Sequence, residues 1–128
     1  ILKTEKIEEL KEQIEILISA ISYMYLKEEY SYVIAVYSML YTTGLDVIIE
    51  DNTSKGRIDM SVIVDKKIVY VMEFKVVDNQ KEKGKALKQI KEKEYFKKYL
   101  NYEKIYLVGI EFDKINKNLV NFEYELLF

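Results

Sequence analysis

The sequence contains no histidine, no cysteine, no proline and no tryptophan, and only four glycines in 128 residues. Without His or Cys, Ser-His-Asp and Cys-His triads, zinc fingers, Fe–S clusters, disulfides and histidine-dependent metal nucleases are all excluded. Any chemistry falls to carboxylates, lysines, tyrosines and a hard metal ion. No run of 18 apolar residues exists to span a bilayer, so no membrane partner is expected. No signal-peptide pattern is present either. The lack of cysteine is in keeping with a cytoplasmic protein. The chain starts at Ile1 rather than Met, as expected of a fragment or an excised domain.

What is present suits one folded unit. A mass of 15.3 kDa is one domain of ordinary size. A hydrophobic fraction of 49% with 33% charged residues argues against disorder. The net charge is −2, which does not indicate a strongly basic nucleic-acid binder. The distribution is uneven. Residues 78–104 hold nine Lys against five acids, while the flanking segments are all net acidic. Such a stretch is either a solvated helix face or a patch that meets phosphate.

Hydrophobic spacing places the elements. Ile7, Leu10, Ile14, Leu17, Ile18 and Ile21 mark a helix over 4–20. A second helix over 28–43 is apolar almost all round and is expected to be largely buried, with Gly44 as its stop. Leu45–Glu50 reads as a short strand and residues 51–56 as a polar loop. Arg57–Val64 and Ile68–Val76 form a hairpin around Asp65-Lys66-Lys67. Residues 82–100 are helical with a break near Lys93–Glu94. Ile105–Phe112, a near-continuous apolar run, is expected to be a central strand. Asn116-Lys117-Asn118 turns into a last strand over 119–128.

The hairpin carries the sharpest chemical inference. A three-residue loop pairs Val64 with Ile68, so partner numbers sum to 132 and Asp59 faces Glu73. Directly opposed residues share a face, and Lys75, two residues beyond Glu73, projects to that face too. Like charges opposed in a sheet are destabilising. A divalent cation is the economical compensation, since Mg²⁺ takes one or two carboxylates plus waters and phosphate oxygens. A two-residue loop would put Asp59 and Glu73 on opposite faces. The bland alternative is a polar strand start and a solvated strand end.

Gly56-Arg57-Ile58-Asp59, Glu73-Phe74-Lys75 and the run from Ala86 to Tyr95 together resemble the PD-(D/E)XK nuclease superfamily. The nearest likeness is the nuclease-like domain at the C-terminus of bacterial AAA-ATPase-like proteins. It spans about Ser19 to Gly109, with Ala20-Ile21-Ser22-Tyr23, Glu29-Tyr30-Ser31-Tyr32 and the stretch from Glu50 to Asp59 also matching. Tyr32-Val33 stands where relatives often carry Tyr-His, and Glu94 where a Gly is common.

The resemblance implies a restriction-endonuclease-like α/β fold. Its core is α-β-β-β-α-β around a mixed sheet over 28–112, with a helical extension over 1–27 and a C-terminal strand over 113–128. It implies Mg²⁺, or Mn²⁺, on Asp59, Glu73 and the Phe74 carbonyl, with Glu29 as a second-sphere or second-metal ligand. Lys75 would orient or deprotonate the attacking water, and Gln89 would complete the catalytic set. Arg57, Lys85, Lys88 and Tyr95 would contact nucleic acid, DNA before RNA. An ATPase part of the same polypeptide or operon and a homodimer are further implied partners. The alternative is a non-catalytic interaction module of the same fold attached to an ATPase, using its 12 Tyr and 5 Phe in an interface.

Overall fold

The computed structural model describes residues 2–78 and 83–127. The elements run α1 (Ile7–Ala20), α2 (Glu29–Tyr41), β1 (Asp46–Thr53), β2 (Gly56–Val64), β3 (Ile68–Val77), α3 (Lys85–Lys93), β4 (Lys104–Asp113) and β5 (Leu119–Leu126). Short 3-10 turns cover Leu2–Thr4, Tyr23–Tyr25 and Tyr95–Tyr99. The five strands lie in chain order, with β3 and β4 parallel and every other neighbouring pair antiparallel. This is the expected restriction-endonuclease-like mixed sheet with flanking helices, an added N-terminal helix and a C-terminal strand. Among the described residues no helix is long and apolar enough to cross a membrane.

Strand alternation sends apolar side chains to both faces of the sheet. On one face Met60, Val62, Tyr70, Met72, Val108 and Ile110 pack beneath α1 and α2. On the other, Val69, Val71, Ile105 and Leu107 pack beneath α3 and the Tyr95–Tyr99 turn. Residues 105–112 are buried throughout, which explains why β4 reads as an unbroken apolar run.

Two readings are corrected. The polar residues 51–53 are strand, not loop. β1 and β2 stay paired to Thr53–Gly56, leaving a turn of Ser54-Lys55. Thr53 Oγ1 closes that turn, accepting the Lys55 amide at 3.0 Å and donating to the Gly56 carbonyl at 2.8 Å. β1 is an edge strand with one solvated side, so polar residues are compatible with it. Second, α2 is not buried all round. Tyr32, Val33, Val36 and Leu40 form its inner stripe, while Tyr30, Ile34 and Tyr41 are exposed. The helical stretch expected over 82–100 is split as expected, into α3 and a separate 3-10 turn over Tyr95–Tyr99; its expected start at Glu82 lies outside the described residues. The expected break falls on Glu94, which is left-handed at φ 54°. Glycine adopts that conformation without steric cost, whereas most other residues do not.

Two features of β4 position α3 on the sheet. A Cβ at Gly109 would lie 2.6 Å from the Leu87 backbone nitrogen, so only glycine permits this approach. Beside it, the wholly buried Glu111 clamps the helix start. Its carboxylate accepts the amides of Gly84 at 2.8 Å and Ala86 at 3.0 Å, and the Asn121 side-chain amide at 2.8 Å. A carboxylate there satisfies orphan helix donors and complements the helix dipole.

Gly109→Ala is predicted to cost about 1–3 kcal/mol of stability through overpacking. Urea unfolding followed by circular dichroism measures this; an unchanged midpoint would show that α3 can slide without cost.

Candidate active site

The hairpin register holds from Val64–Ile68 to Met60–Met72, each pair summing to 132. The ladder does not continue to Asp59 and Glu73. There β2 parts from β3, and the Asp59 carboxylate takes over as acceptor, receiving the Phe74 amide at 2.8 Å. The side chains of Asp59 and Glu73 nevertheless come close enough for Asp59 to push the Glu73 carboxyl upward. The two residues therefore converge through their side chains, not as ladder partners.

Glu73 is only 3% exposed, and its Oε2 has no hydrogen-bond partner in the described structure. Burial pushes its carboxyl strongly upward, reinforced by Asp59; Lys75 opposes the shift. Two carboxyls this close in low dielectric cannot both be ionised, so the pair retains a proton near neutrality. Glu29, at the start of α2, joins the cluster. Burial and then the charge of Asp59 raise its carboxyl, while Lys75 and the Val76 amide pull it down. Its position follows from α2 packing: Val33, Val36 and Leu40 seat the helix and leave its first residue beside the end of β3.

The donor set is hard oxygen and suits a hard cation. Glu73 offers a buried, unused oxygen beside a second carboxyl, the arrangement a divalent ion would complete. Among the described residues no group of three or more acidic side chains forms a metal cage. A pair of carboxyls is within the low protein-ligand count that Mg²⁺ takes.

The other sequence candidates are arranged around this pair. Lys75, Lys85, Lys88 and Gln89 line one cleft of about 470 Å³. Arg57 lines a second cleft of about 360 Å³ that includes Asp59 and Glu29, and stands 3.9 Å from Glu50. Tyr95 is not a surface residue. It is 5% exposed, packs against Gly56 and accepts a hydrogen bond from Gln89 Nε2 at 3.4 Å. Of the lysine run, Lys81 lies outside the described residues.

Two polar positions escaped the sequence reading. Glu111 is one, and its signal was an acid within the apolar run 105–112. Asp51 is the other. It accepts hydrogen bonds from Ser61, Tyr99 and Lys98, tying β1 to the Tyr95–Tyr99 turn. Burial alone would raise its carboxyl, but the bonds from Lys98, Tyr99 and Ser61 outweigh it and hold it below the usual range. Nothing local in the sequence marks that cluster.

The order of elements and the carboxyl pair with its neighbouring lysine define a class: an α/β domain of restriction-endonuclease type with a hard-oxygen site at the end of its β-hairpin. The family comparison is specific. The sequence model of the PD-(D/E)XK nuclease superfamily matches residues 27–122, and the chain belongs to that superfamily. Members generally use divalent metals and act on nucleic acid. A curated relative from Azotobacter chroococcum mcd 1, an uncharacterized protein in the vnfD 5′ region, is 46% identical over 92 residues. The match takes in 71% of this chain and 17% of the relative's length. No solved structure matches the chain.

The pair also has a stability signature. Unfolded, Glu73 loses its proton near pH 4.5; folded, it keeps that proton to higher pH. The native state thus binds more protons across neutrality, and metal-free stability falls as pH rises through that window. Glu73→Gln is predicted to flatten this fall and to melt several degrees above wild type at pH 8 without metal. Thermal melts from pH 5 to 9 check it. A variant as pH-sensitive as wild type would show that Glu73 ionises freely.

Proposed function

We propose that this domain is a divalent-metal-dependent nuclease that hydrolyses phosphodiester bonds, in DNA before RNA. The observation that carries the reading is the buried Glu73 Oε2, unpartnered beside Asp59. Such an atom is costly to bury unless something completes it. Asp59 and Glu73 would hold the cation, Mg²⁺ or Mn²⁺, with the Phe74 carbonyl as a further oxygen. When bound, the cation supplies a water of lowered pKa and charge neutralisation at the phosphate, which removes the need for histidine.

The chain's own groups do the rest. Lys75 aims an ammonium at the same place, to orient the attacking water and offset charge on the phosphate. Glu29 stands near Asp59 and Lys75 at the start of α2, where it would act as a second-sphere or second-metal ligand. Tyr95 fixes the Gln89 side chain from beneath, so that Gln89 acts at the cleft wall and Tyr95 as its positioning residue. Lys85 and Lys88 would receive flanking phosphates, and Arg57 would border the nucleotide on the Asp59 side. The small share of the relative's length matched here is consistent with a domain working within a longer polypeptide. The attached ATPase and the homodimer rest on the family resemblance alone, and cytoplasmic placement on the lack of cysteine.

Two measurements test this. Mg²⁺ or Mn²⁺ is expected to raise the melting temperature of the wild type, with about 2.7 kcal/mol of stabilisation at a hundredfold excess over Kd, and to leave Asp59→Asn unmoved. Glu73→Ala and Lys75→Ala are each expected to cut metal-dependent cleavage by about a thousandfold or more, near 4 kcal/mol of transition-state stabilisation, while retaining the wild-type circular dichroism spectrum. Intact plasmid, linear and single-stranded substrates after incubation with either metal would sink the nuclease reading.

A further inference from the structure

The site opens on two sides of different chemistry. One cleft, with Lys75 and Gln89, is bordered by Lys85, Lys88 and Lys93 against a single carboxylate, Glu92, 3.7 Å from Lys88, and its net positive lining suits a chain of phosphates. The other cleft, of about 360 Å³, begins at Asp59 and is walled by Tyr30, Val33, Ile34 and Ile49. Its charged rim is Glu28, Glu29, Glu50 and Arg57, with the Arg57 guanidinium 3.9 Å from the Glu50 carboxylate. Four carboxylates, counting Asp59, against one partly engaged guanidinium repel a second run of phosphates. A neutral, flat, polarisable group is not repelled.

Tyr30 is 67% exposed and Ile34 45% exposed, although they lie on the first turns of the helix that seats Glu29. Large apolar groups left open beside a polar site are a binding signal rather than a packing one. A ring in that position stacks on nucleobases, and the stacking tolerates any base. A base inside a duplex is already paired and stacked on both sides, so it cannot reach the ring without being extruded. We infer that the substrate strand is unpaired at the cut: single-stranded nucleic acid, with its phosphates along the lysine cleft and the base beside the scissile bond packed on Tyr30. This inference deepens the nuclease reading and rests on its site.

Fluorescence anisotropy without divalent metal tests it independently of cleavage. The probes are labelled oligonucleotides of about 12 residues, single-stranded DNA, single-stranded RNA and a DNA hairpin duplex, at one fixed low salt concentration. At least one single strand is expected to bind more tightly than the duplex, the DNA and RNA probes identifying which sugar is accepted. Tyr30→Ala is expected to weaken that single-strand binding by about fivefold or more, and Tyr30→Phe to restore it to within about twofold. Duplex binding as tight as single-strand binding, or single-strand binding indifferent to Tyr30→Ala, overturns the inference. The same probes with Mg²⁺ separate the two claims. Duplex cleavage that ignores Tyr30→Ala removes this inference and keeps the nuclease. Tyr30-dependent single-strand binding with no cleavage under either metal removes the nuclease and keeps the binding surface.

Discussion

The structure depends on a repulsion. Glu73 lies in the middle of β3, buried, with the Asp59 carboxyl against it. Two like-charged groups in low dielectric are tolerated only when a proton or a cation sits between them. The same place is where β2 leaves the sheet, and Asp59 answers both demands. One of its oxygens receives the Phe74 amide that β2 no longer serves, and its carboxyl also meets Glu73. Beside this parting, Asp59 lines a cleft together with Glu29 and Arg57, while Glu73 stays buried behind it.

The surroundings hold that opening in shape. Glu73 pairs with Gly109 across the β3–β4 ladder, and Gly109 is where α3 comes down onto the sheet. Glu111, two residues on, fixes the start of the same helix through two hydrogen bonds and is itself held by the Asn121 side chain of β5. Gln89 and Lys88 thereby reach the site from a rigid element. At the far end of α3, the left-handed Glu94 lets the chain turn so that Tyr95 packs under Gly56. The buried Asp51 cluster then anchors that turn to β1. Each support is a buried polar or tightly packed contact, and each lies within a few residues of a group that faces the cleft.

Much of this was legible in local pattern. The three-residue loop at Asp65–Lys67 and the alternation around it determined the hairpin register, because a one-residue slip would reverse every side chain. The break at Glu94 was visible as a change in apolar phase. What was not legible came from contacts distant in sequence. The ladder stops at Met60 because of how the sheet diverges, which no residue near Asp59 announces. Asp51–Thr53 read as loop from composition, although pairing with Gly56–Ile58 makes them strand. α2 read as buried from its apolar content, yet Tyr30 and Ile34 face outward, and only their place beside the carboxyls gives that exposure a meaning.

The central claim is that the proton on the Asp59–Glu73 pair stands in for a divalent cation. Titration calorimetry of the metal-free protein with Mn²⁺ near pH 7, repeated in two buffers of different ionisation enthalpy, counts the protons released on binding. The account predicts saturable binding with release of about one proton, and loss of that release in Glu73→Gln. Binding without proton release, or no binding at millimolar Mn²⁺, would contradict it.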